Sequence, residues 1–239
     1  MAKPRVFLQG PLVAGPIRLS ESQSRRLTGS HRLREGEPFL AFCGDGAEWS
    51  ARLTSGRQRR ATAELEEVVR REAPPPLGVE ILCGQVRPSR MEWALEKCVE
   101  AGADIFRPLT SENSARGSAP STSRTERWDR IAIEAAEQCG RVYPAVVGAP
   151  ARLGAVLASP GTLVLCDRDG MAWENVARML PSVGHVRLAV GPEGGFTAEE
   201  MAQARAAGAI VARLGPHTLR TETGAVAVTL LVRATGSTL

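Results

Sequence analysis

Residues 185–232 constrain the fold more than any other part of the sequence, because they give the order strand, loop and helix twice in succession. Residues 185–190 have the apolar pattern of a buried strand, and the glycine loop GPEGG follows at residues 191–195. Adjacent glycines let the backbone take positive φ and come close to a ligand. Thr197 and Glu200 then have the spacing of a capping box, which predicts the start of a helix.

The second half of this stretch repeats the order. Gly208 ends the predicted helix, residues 210–214 form a short apolar strand, and Gly215-Pro216 opens another loop. The last helix is predicted to start at Thr221 or Thr223 and is almost entirely apolar, so we expect it to be buried. Open α/β sheets bind ligands where their strands end, which makes both loops candidate binding elements.

Spacing alone leaves open that both loops are ordinary turns. The first loop lacks the G-x-G-x-x-G dinucleotide pattern and the Lys-Ser/Thr of a phosphate loop. The segment LRTET, residues 219–223, favours a site, because a charged pair and two hydroxyls precede a helix that is otherwise hydrophobic. We interpret this segment as polar groups held at a buried edge.

The segments LAVGPEGGFTAEE, residues 188–200, and LGPHTLRTETGAVAV, residues 214–228, resemble the ribosomal RNA small subunit methyltransferase E family. That family methylates N3 of a uridine in small-subunit (16S) ribosomal RNA. The resemblance implies S-adenosylmethionine as the cofactor and an α/β fold of the SPOUT class, with a parallel sheet and a C-terminal trefoil knot. It also implies a homodimer and, before the catalytic domain, a small PUA-like β-barrel.

In such folds the methyl donor lies against the loops of the knot, which here are the residues from Asp167 onward, residues 191–195 and residues 214–221. The first of these loops follows a buried strand that is predicted at residues 161–167. Asp167 and Asp169 are interpreted as turn residues, because no further carboxylates or histidines cluster with them, and no metal is expected. The residues that the resemblance implies for the cofactor are Leu165 or its neighbours, Val190, Gly191, Pro192, Glu193, Gly194, Gly195, Leu214, Gly215, His217, Thr218, Leu219 and Thr221.

Three residues are candidates for catalysis. Arg220 and Arg141 could stabilise charge that develops on the pyrimidine carbonyls. Glu222 could orient Arg220 or accept a proton. It could equally have no catalytic role and only interact favourably with the positive, amino-terminal end of the last helix. One helix face carries Glu134, Gln138 and Arg141, and this spacing alone is typical of a stripe of surface salt bridges. The resemblance instead favours a role for Arg141 at the substrate.

Residues 1–72 are predicted to form the small β-rich domain, with strands near residues 38–42 and 48–53 and one short helix within residues 20–31. The resemblance implies that this domain binds RNA. Its candidate RNA-binding residues are Arg5, Arg25, Arg26 and Arg32, for each of which a solvated face is the alternative. The chain departs from the family at Arg25-Arg26 and at Ser30-His31.

Three consecutive prolines at residues 74–76 mark a boundary, so residues 73–239 are assigned to the SPOUT methyltransferase domain. Strands near residues 79, 105, 145, 163, 187 and 210 alternate with helices, including predicted helices at 90–101 and 127–138, which indicates a mostly parallel α/β sheet. The long polar loop from residue 111 to residue 125 carries Arg116 and Arg124, and loops of this length are often binding elements.

Composition adds weaker constraints. The net charge of +4 mildly favours a polyanionic partner. The five cysteines are scattered without a C-x-x-C pair, which argues for reduced thiols rather than zinc. The start has no signal-peptide core and no run has the length of a membrane span, so we expect a cytoplasmic protein without membrane contact.

Two other functions remain open. A related SPOUT enzyme would methylate a different RNA position, and a non-catalytic RNA-binding protein could keep the same fold. The sequence also leaves open whether the partner is free small-subunit ribosomal RNA or the assembled small subunit.

Overall fold

The computed structural model describes residues 3–55, 60–114 and 122–236. The chain divides into two compact units, each with its own core. The first comprises Met1–Pro74 with Ala136–Pro144, and the second comprises Pro75–Ala135 with Ala145–Leu239. The predicted helix at 127–138 therefore contributes its last residues to the first unit.

The first unit contains a five-stranded sheet and one short helical segment. Its elements are β1 (Arg5–Phe7), β2 (Gly15–Arg18), α1 (Glu21–Arg25), β3 (Pro38–Phe42), β4 (Ala47–Ser55) and β5 (Thr62–Arg71), and a π-helical turn follows α1 at Arg26–Ser30. The strand order is β1-β3-β4-β5-β2. β1 pairs with β3 in parallel, and the other neighbours are antiparallel.

Local sequence explains much of this unit. Asp45 lies in the turn between β3 and β4, where its carboxylate accepts a hydrogen bond from the Ala47 backbone N–H at 2.9 Å. Ser20 and Gln23 form a capping box that starts α1. Apolar side chains such as Phe39 and Leu53 point to one side of the sheet and are fully buried. The pattern thus predicts the strands β3 and β4, but it did not predict β2, which carries Gly15 and Pro16.

The second unit alternates strands with helices. Its elements are β6 (Leu77–Gly84), α2 (Pro88–Glu100), β7 (Ile105–Thr110), α3 (Thr122–Cys139, whose last residues belong to the first unit), β8 (Val146–Val147), β9 (Ala151–Arg152), α4 (Leu153–Ala158), β10 (Thr162–Ala172), α5 (Trp173–Ala177), β11 (Gly184–Val190), α6 (Ala198–Ala206), β12 (Ile210–Arg213) and α7 (Thr221–Gly236).

The sheet of the second unit has the order β12-β10-β11-β6-β7-β8, and β9 pairs with β7. Each of its recorded strand pairs is parallel. The prediction of a mostly parallel α/β sheet is confirmed. Because parallel strands end at the same edge, the loops after β10, β11 and β12 come together.

The helices of this unit bury the faces that their sequence periodicity marks. Met91, Leu95 and Cys98 of α2 are buried, and α2 packs against α7. α7 also packs against β6 and β11, burying Val228 and Val232. No helix in the described part of the chain is long and apolar enough to cross a membrane.

Two predicted boundaries were wrong. α3 begins at Thr122 rather than near residue 127, because polar residues without an apolar periodicity form its first turns. β10 continues to Ala172 rather than ending at Asp167, and Cys166 and Met171 both pair with Ala212 around a bulge. The intervening residues project from the strand at the edge where the two loops lie.

Candidate functional site

A cavity of about 1310 Å³ lies at the carboxyl ends of β10, β11 and β12. Its walls are the bulge after Cys166, the loop after β11, one face of α6 and the loop after β12. Both glycine-containing loops that the sequence marks therefore line the same cavity. The adjacency of the three strands accounts for this, since β10 lies between β11 and β12.

The loop after β11 is folded back on itself and packed against the end of β6. The Gly195 backbone N–H donates to the Pro192 carbonyl at 2.8 Å, which closes a turn. A Cβ atom on Gly84 would lie 2.3 Å from the Pro192 nitrogen and 2.5 Å from the Gly191 carbonyl carbon. Only glycine at position 84 lets the strand come this close to the loop.

Thr221, the first residue of α7, joins the two loops. Its Oγ1 donates a hydrogen bond to the Gly191 carbonyl at 2.8 Å, and the residue is only 3% exposed. The first helical residue after one loop is thus fixed to the first residue of the other. A buried bond of this kind holds the cavity walls at a fixed spacing.

Two further glycines leave the cavity open. A Cβ atom on Gly195 or on Gly215 would meet no atom within 4 Å, and both residues line the cavity. Gly195 also has a φ of 66°, which side-chain-bearing residues rarely adopt. Because no side chain stands there, a ligand can come against the main chain of both loops.

The cofactor residues implied by the resemblance come together with one exception. Those that line the cavity are Val190, Gly191, Pro192, Glu193, Gly194, Gly195, Leu214, Gly215, His217, Thr218, Leu219 and Thr221. Leu165 does not line it, because this side chain is fully buried in the core with Leu163 and Ala189. The next residue, Cys166, lines the cavity instead.

The start of the long polar loop supports the site from a distance in sequence. The Asn113 Nδ2 donates to the carbonyls of Gly194 and Gly195 at 3.0 and 3.2 Å. The Glu112 backbone N–H donates to Glu200, the residue that also caps α6. The length and polarity of this loop predict a binding element, but nothing in the sequence indicates that its first residues hold the glycine loop.

A second, smaller cavity of about 390 Å³ adjoins the start of α7. Its lining residues are Ser89, Arg90, Trp93, Arg220, Glu222 and Thr223. Arg220 lines both cavities, so the two share one wall at this residue. Two of the predicted catalytic residues, Arg220 and Glu222, are therefore brought together in the second unit.

Arg90 of α2 is a charged residue of this site that the sequence analysis missed. Its Nη1 pairs with Glu193 of the first loop, and its Nε lies 3.7 Å from Glu222 Oε1. One guanidinium thus bridges a carboxylate of the first loop and a carboxylate in the first turn of α7. The sequence gives little indication of this role, because Arg90 lies at the start of an ordinary amphipathic helix and is more than 100 residues before either carboxylate in the chain.

Glu222 is a nearly buried carboxylate at the amino-terminal end of α7, with its side chain 10% exposed. Its Oε2 has no hydrogen-bond donor within the described residues. The pKa of the nearby Cys83 thiol is raised well above its usual value by burial, then by the neighbouring Cys98 and by the charge of Glu222. The Arg90 guanidinium lies near this carboxylate, which also faces the amino-terminal end of α7, and both interactions are attractive.

The third predicted catalytic residue, Arg141, belongs to the first unit. Its backbone carbonyl accepts a hydrogen bond from Arg5 Nη2 at 3.1 Å. The Arg5 guanidinium also donates to Glu48 Oε1 at 2.6 Å and to the Ala136 carbonyl at 2.8 Å, and its side chain is 11% exposed. The prediction that Arg5 contacts RNA does not fit this environment, because its donors already hold the first unit together.

The other predicted RNA-binding arginines differ in availability. Arg25 is 66% exposed and lies 3.5 Å from Glu21, whereas Arg26 pairs with Glu137 at 2.6 Å. Arg32 is exposed and has a positive φ of 54°. Arg124 is half-buried near the start of α3, and Arg116 lies outside the described residues.

Comparison with known proteins gives consistent matches. The profile of the RNA methyltransferase domain family matches residues 73–233. A ribosomal RNA small subunit methyltransferase E from Synechocystis sp. is 32% identical over 229 residues, covering 93% of this chain and 74% of that protein. One from Mycobacterium bovis is 32% identical over 215 residues, covering 81% of this chain and 77% of that protein.

Two solved structures match nearly the whole chain. A protein from Legionella pneumophila, described as a methyltransferase and solved with its cofactor SAM bound, has a TM-score of 0.88 at 26% identity and covers 98% of each chain. A ribosomal RNA small subunit methyltransferase E from Neisseria gonorrhoeae, bound to S-adenosylmethionine, has a TM-score of 0.86 at 28% identity and covers 98% of each chain.

Proposed function

The chain belongs to the ribosomal RNA small subunit methyltransferase E family, and we propose that it uses S-adenosylmethionine to methylate N3 of one uridine in small-subunit (16S) ribosomal RNA. The observation that carries this proposal is the cavity that both loops line, with its walls joined by the bond from Thr221 to Gly191. Relatives of the same fold bind the same cofactor. This substrate implies a cytoplasmic location.

The residues of the large cavity fit the proposed cofactor. The missing side chains of Gly195 and Gly215 leave room for a flat ring against the main chain. Backbone N–H and C=O groups of residues 191–195 and 214–219 can recognise an adenine edge, and Val190 and Leu214 supply apolar surface. We assign the cofactor to these residues, without Leu165.

When bound, the cofactor would supply a methyl group carried on a positively charged sulfur. The sulfur would keep the electron pair of the broken carbon–sulfur bond, so the leaving group would be a neutral thioether. The chain must therefore align the base and remove its N3 proton. We assign the proton to Glu222, so that N3 would have a free electron pair when the bound cofactor supplies the methyl group. Arg220 stabilises the negative charge that this leaves on the pyrimidine carbonyls.

We assign RNA binding to the basic residues that remain available, which in the described part of the chain include Arg25, Arg32 and Arg124. Phosphate contacts from such residues offset the few kcal/mol needed to unstack the target uridine. In this proposal residues 1–72 are a PUA-like barrel that binds RNA, and residues 73–239 are the SPOUT domain. Arg141 stays a candidate for contact with the substrate, and either free ribosomal RNA or the assembled small subunit could be the partner.

Two finer structural features belong to this proposal. α7 packs against β6 and β11 although the preceding strand β12 lies beyond β10, which supports a C-terminal trefoil knot. The homodimer is taken from the family resemblance and belongs to the same proposal. An experimental trace of the chain tests the knot, and sedimentation equilibrium tests the dimer; an unthreaded chain or a stable monomer would remove the respective feature.

Calorimetric titration with S-adenosylmethionine tests the cofactor site. Gly215→Trp should abolish the heat of binding, because its Cβ would meet no atom within 4 Å and the indole beyond it would occupy the cavity. Gly154→Trp is the matched control, since Gly154 of α4 also meets no atom within 4 Å and lies away from the cavity. Equal affinities in both variants would show that the cofactor binds elsewhere.

Transfer from methyl-labelled cofactor to small-subunit ribosomal RNA, followed by mapping of the labelled nucleotide, tests the reaction. We expect label at N3 of a single uridine. Label at another nucleotide would instead indicate a related RNA methyltransferase. Cofactor binding without transfer to free RNA or to assembled subunits would contradict the proposed reaction.

A further inference from the structure

The smaller cavity beside Arg220 has the size and lining of a pocket for one nucleoside. At about 390 Å³ it lies in the lower part of the range for small-ligand pockets. Five of its six lining residues carry polar groups, and the sixth is Trp93. Since Arg220 also lines the large cavity, a base held here would be next to the proposed methyl donor.

Trp93 is unusual within its own helix. The buried face of α2 carries Met91, Leu95 and Cys98, whereas Trp93 is 44% exposed. Trp128 and Trp173, by contrast, are buried in the core. A single exposed aromatic residue needs no explanation by itself. Here, however, the exposed ring lines a concave pocket together with two arginines, which is the arrangement that stacks a nucleic-acid base.

The polar groups of the pocket complement uracil. Uracil presents two carbonyl acceptors on either side of the N3–H donor. Arg90, Arg220 and the hydroxyls of Ser89 and Thr223 can donate to carbonyl oxygens. Glu222 lines the pocket, and its Oε1, 3.7 Å from Arg90 Nε, can accept the N3–H. Cytosine would present an amino group and an unprotonated N3 to the same groups and would leave them mismatched.

We propose that this cavity is the base-recognition subsite, in which the target uracil stacks on Trp93 while Glu222 and the donors of Arg220 and Arg90 read its edge. The inference rests on the proposed function, since it names the part of the site that holds the substrate. Arg90 has a positioning role as well, because it links Glu193 of the cofactor loop to Glu222 of the base pocket. Correct placement of the first loop thereby supports correct placement of the carboxylate.

Steady-state transfer to small-subunit ribosomal RNA, compared among three variants, tests the stacking role. Trp93→Ala should lower kcat/KM roughly 5- to 150-fold, which corresponds to the range for stacking one base. Trp93→Phe should recover most of this loss, and all variants should bind S-adenosylmethionine with wild-type affinity. Lys97→Ala is the control on the same helix, because Lys97 pairs only with Glu96 and Glu100 in the recorded ion pairs of the described residues.

Tryptophan fluorescence gives a second measurement that does not depend on turnover. Uridine 5′-monophosphate should quench the emission of wild-type protein more than cytidine 5′-monophosphate does, and Trp93→Phe should remove the difference. Unchanged kcat/KM in Trp93→Ala, with an active wild type, would overturn the subsite and leave the proposed function intact. An inactive wild type with the uridine-selective quench would support the subsite while contradicting the proposed reaction, and absence of the quench would overturn the subsite.

Discussion

The hydrogen bond between Thr221 and Gly191 holds the two loops together, and the stability lost on removing it can be predicted. In Thr221→Val the side chain keeps its shape, so no cavity forms, but the hydroxyl donor at 2.8 Å is lost. Thr221 is buried, so water cannot easily replace the donor. The net loss of one hydrogen bond and the burial of an unpaired carbonyl together should lower the free energy of unfolding by about 1–2 kcal/mol.

Urea denaturation followed by circular dichroism measures this change, and titration with S-adenosylmethionine measures its effect on the site. We expect weaker cofactor binding as well, because the two cavity walls are no longer joined at Gly191. The effect on binding should appear even at temperatures where the variant is fully folded.

Thr229→Val provides the matched control in the same helix. Thr229 is fully buried, and its Oγ1 donates to the Ala225 carbonyl at 2.7 Å. That carbonyl lies inside α7 and keeps its helical backbone donor, but the Cys98 thiol also loses its hydrogen-bond partner, so the loss of stability should be about 1 kcal/mol while cofactor affinity should not change. If Thr221→Val and Thr229→Val had the same cofactor affinity, the bond to Gly191 would not be what holds the loops.

Two further predictions concern the core beneath the site. Gly84→Ala should lower the free energy of unfolding by about 1–3 kcal/mol, because its Cβ would lie 2.3 Å from the Pro192 nitrogen. Gly154→Ala should leave the free energy unchanged in the same urea denaturation, and an unchanged value for Gly84→Ala would refute the close approach. Burial raises the pKa of the Cys98 thiol from 9.0 to about 12, so its contribution to stability is complete below pH 9 and is lost as the pH rises towards 12. Between pH 8 and pH 10 ionisation of this thiol on unfolding should lower the free energy of unfolding by roughly 1 kcal/mol, and Cys98→Ala should reduce the alkaline loss by that amount. An equal loss in both proteins would contradict the assignment.

The elements that the sequence predicted well are those with local signals. Thr197 and Glu200 form the expected capping box, with the Thr197 side chain accepting from the Glu200 N–H and the Glu200 side chain accepting from the Thr197 N–H. Gly208 ends α6 with a φ of 80°, as a glycine stop should. These features depend on residues within four positions of each other, so they can be predicted from the sequence without knowledge of the fold.

The placement of Leu165 shows where periodicity fails. Strands of a parallel sheet are covered on both faces, so consecutive residues are all apolar and alternation no longer tells one face from the other. Leu163, Val164 and Leu165 of β10 are all buried. The sequence could place the strand end, but it could not say which of Leu165 and Cys166 reaches the cavity.

Contacts between distant parts of the chain were the other limit. Arg5 reads as an exposed basic residue near the start, yet it pairs with Glu48 and with carbonyls beyond residue 135. Arg90 contacts Glu193, 103 residues later. A single sequence carries no local mark of such pairings, because each arginine sits in a segment that would fold equally well without its partner.

Glu222 is a residue that the stability of the fold alone does not explain. α7 is apolar and buried along most of its length, and a carboxylate with an unpaired oxygen at its start costs stability. The helix amino terminus and a single arginine at 3.7 Å offset only part of that cost. A hydrophobic residue there would be expected to stabilise the fold, so the carboxylate is better explained by the reaction than by folding. The same reasoning applies to Arg220, which lines both cavities and would be unnecessary in a protein that only kept the fold.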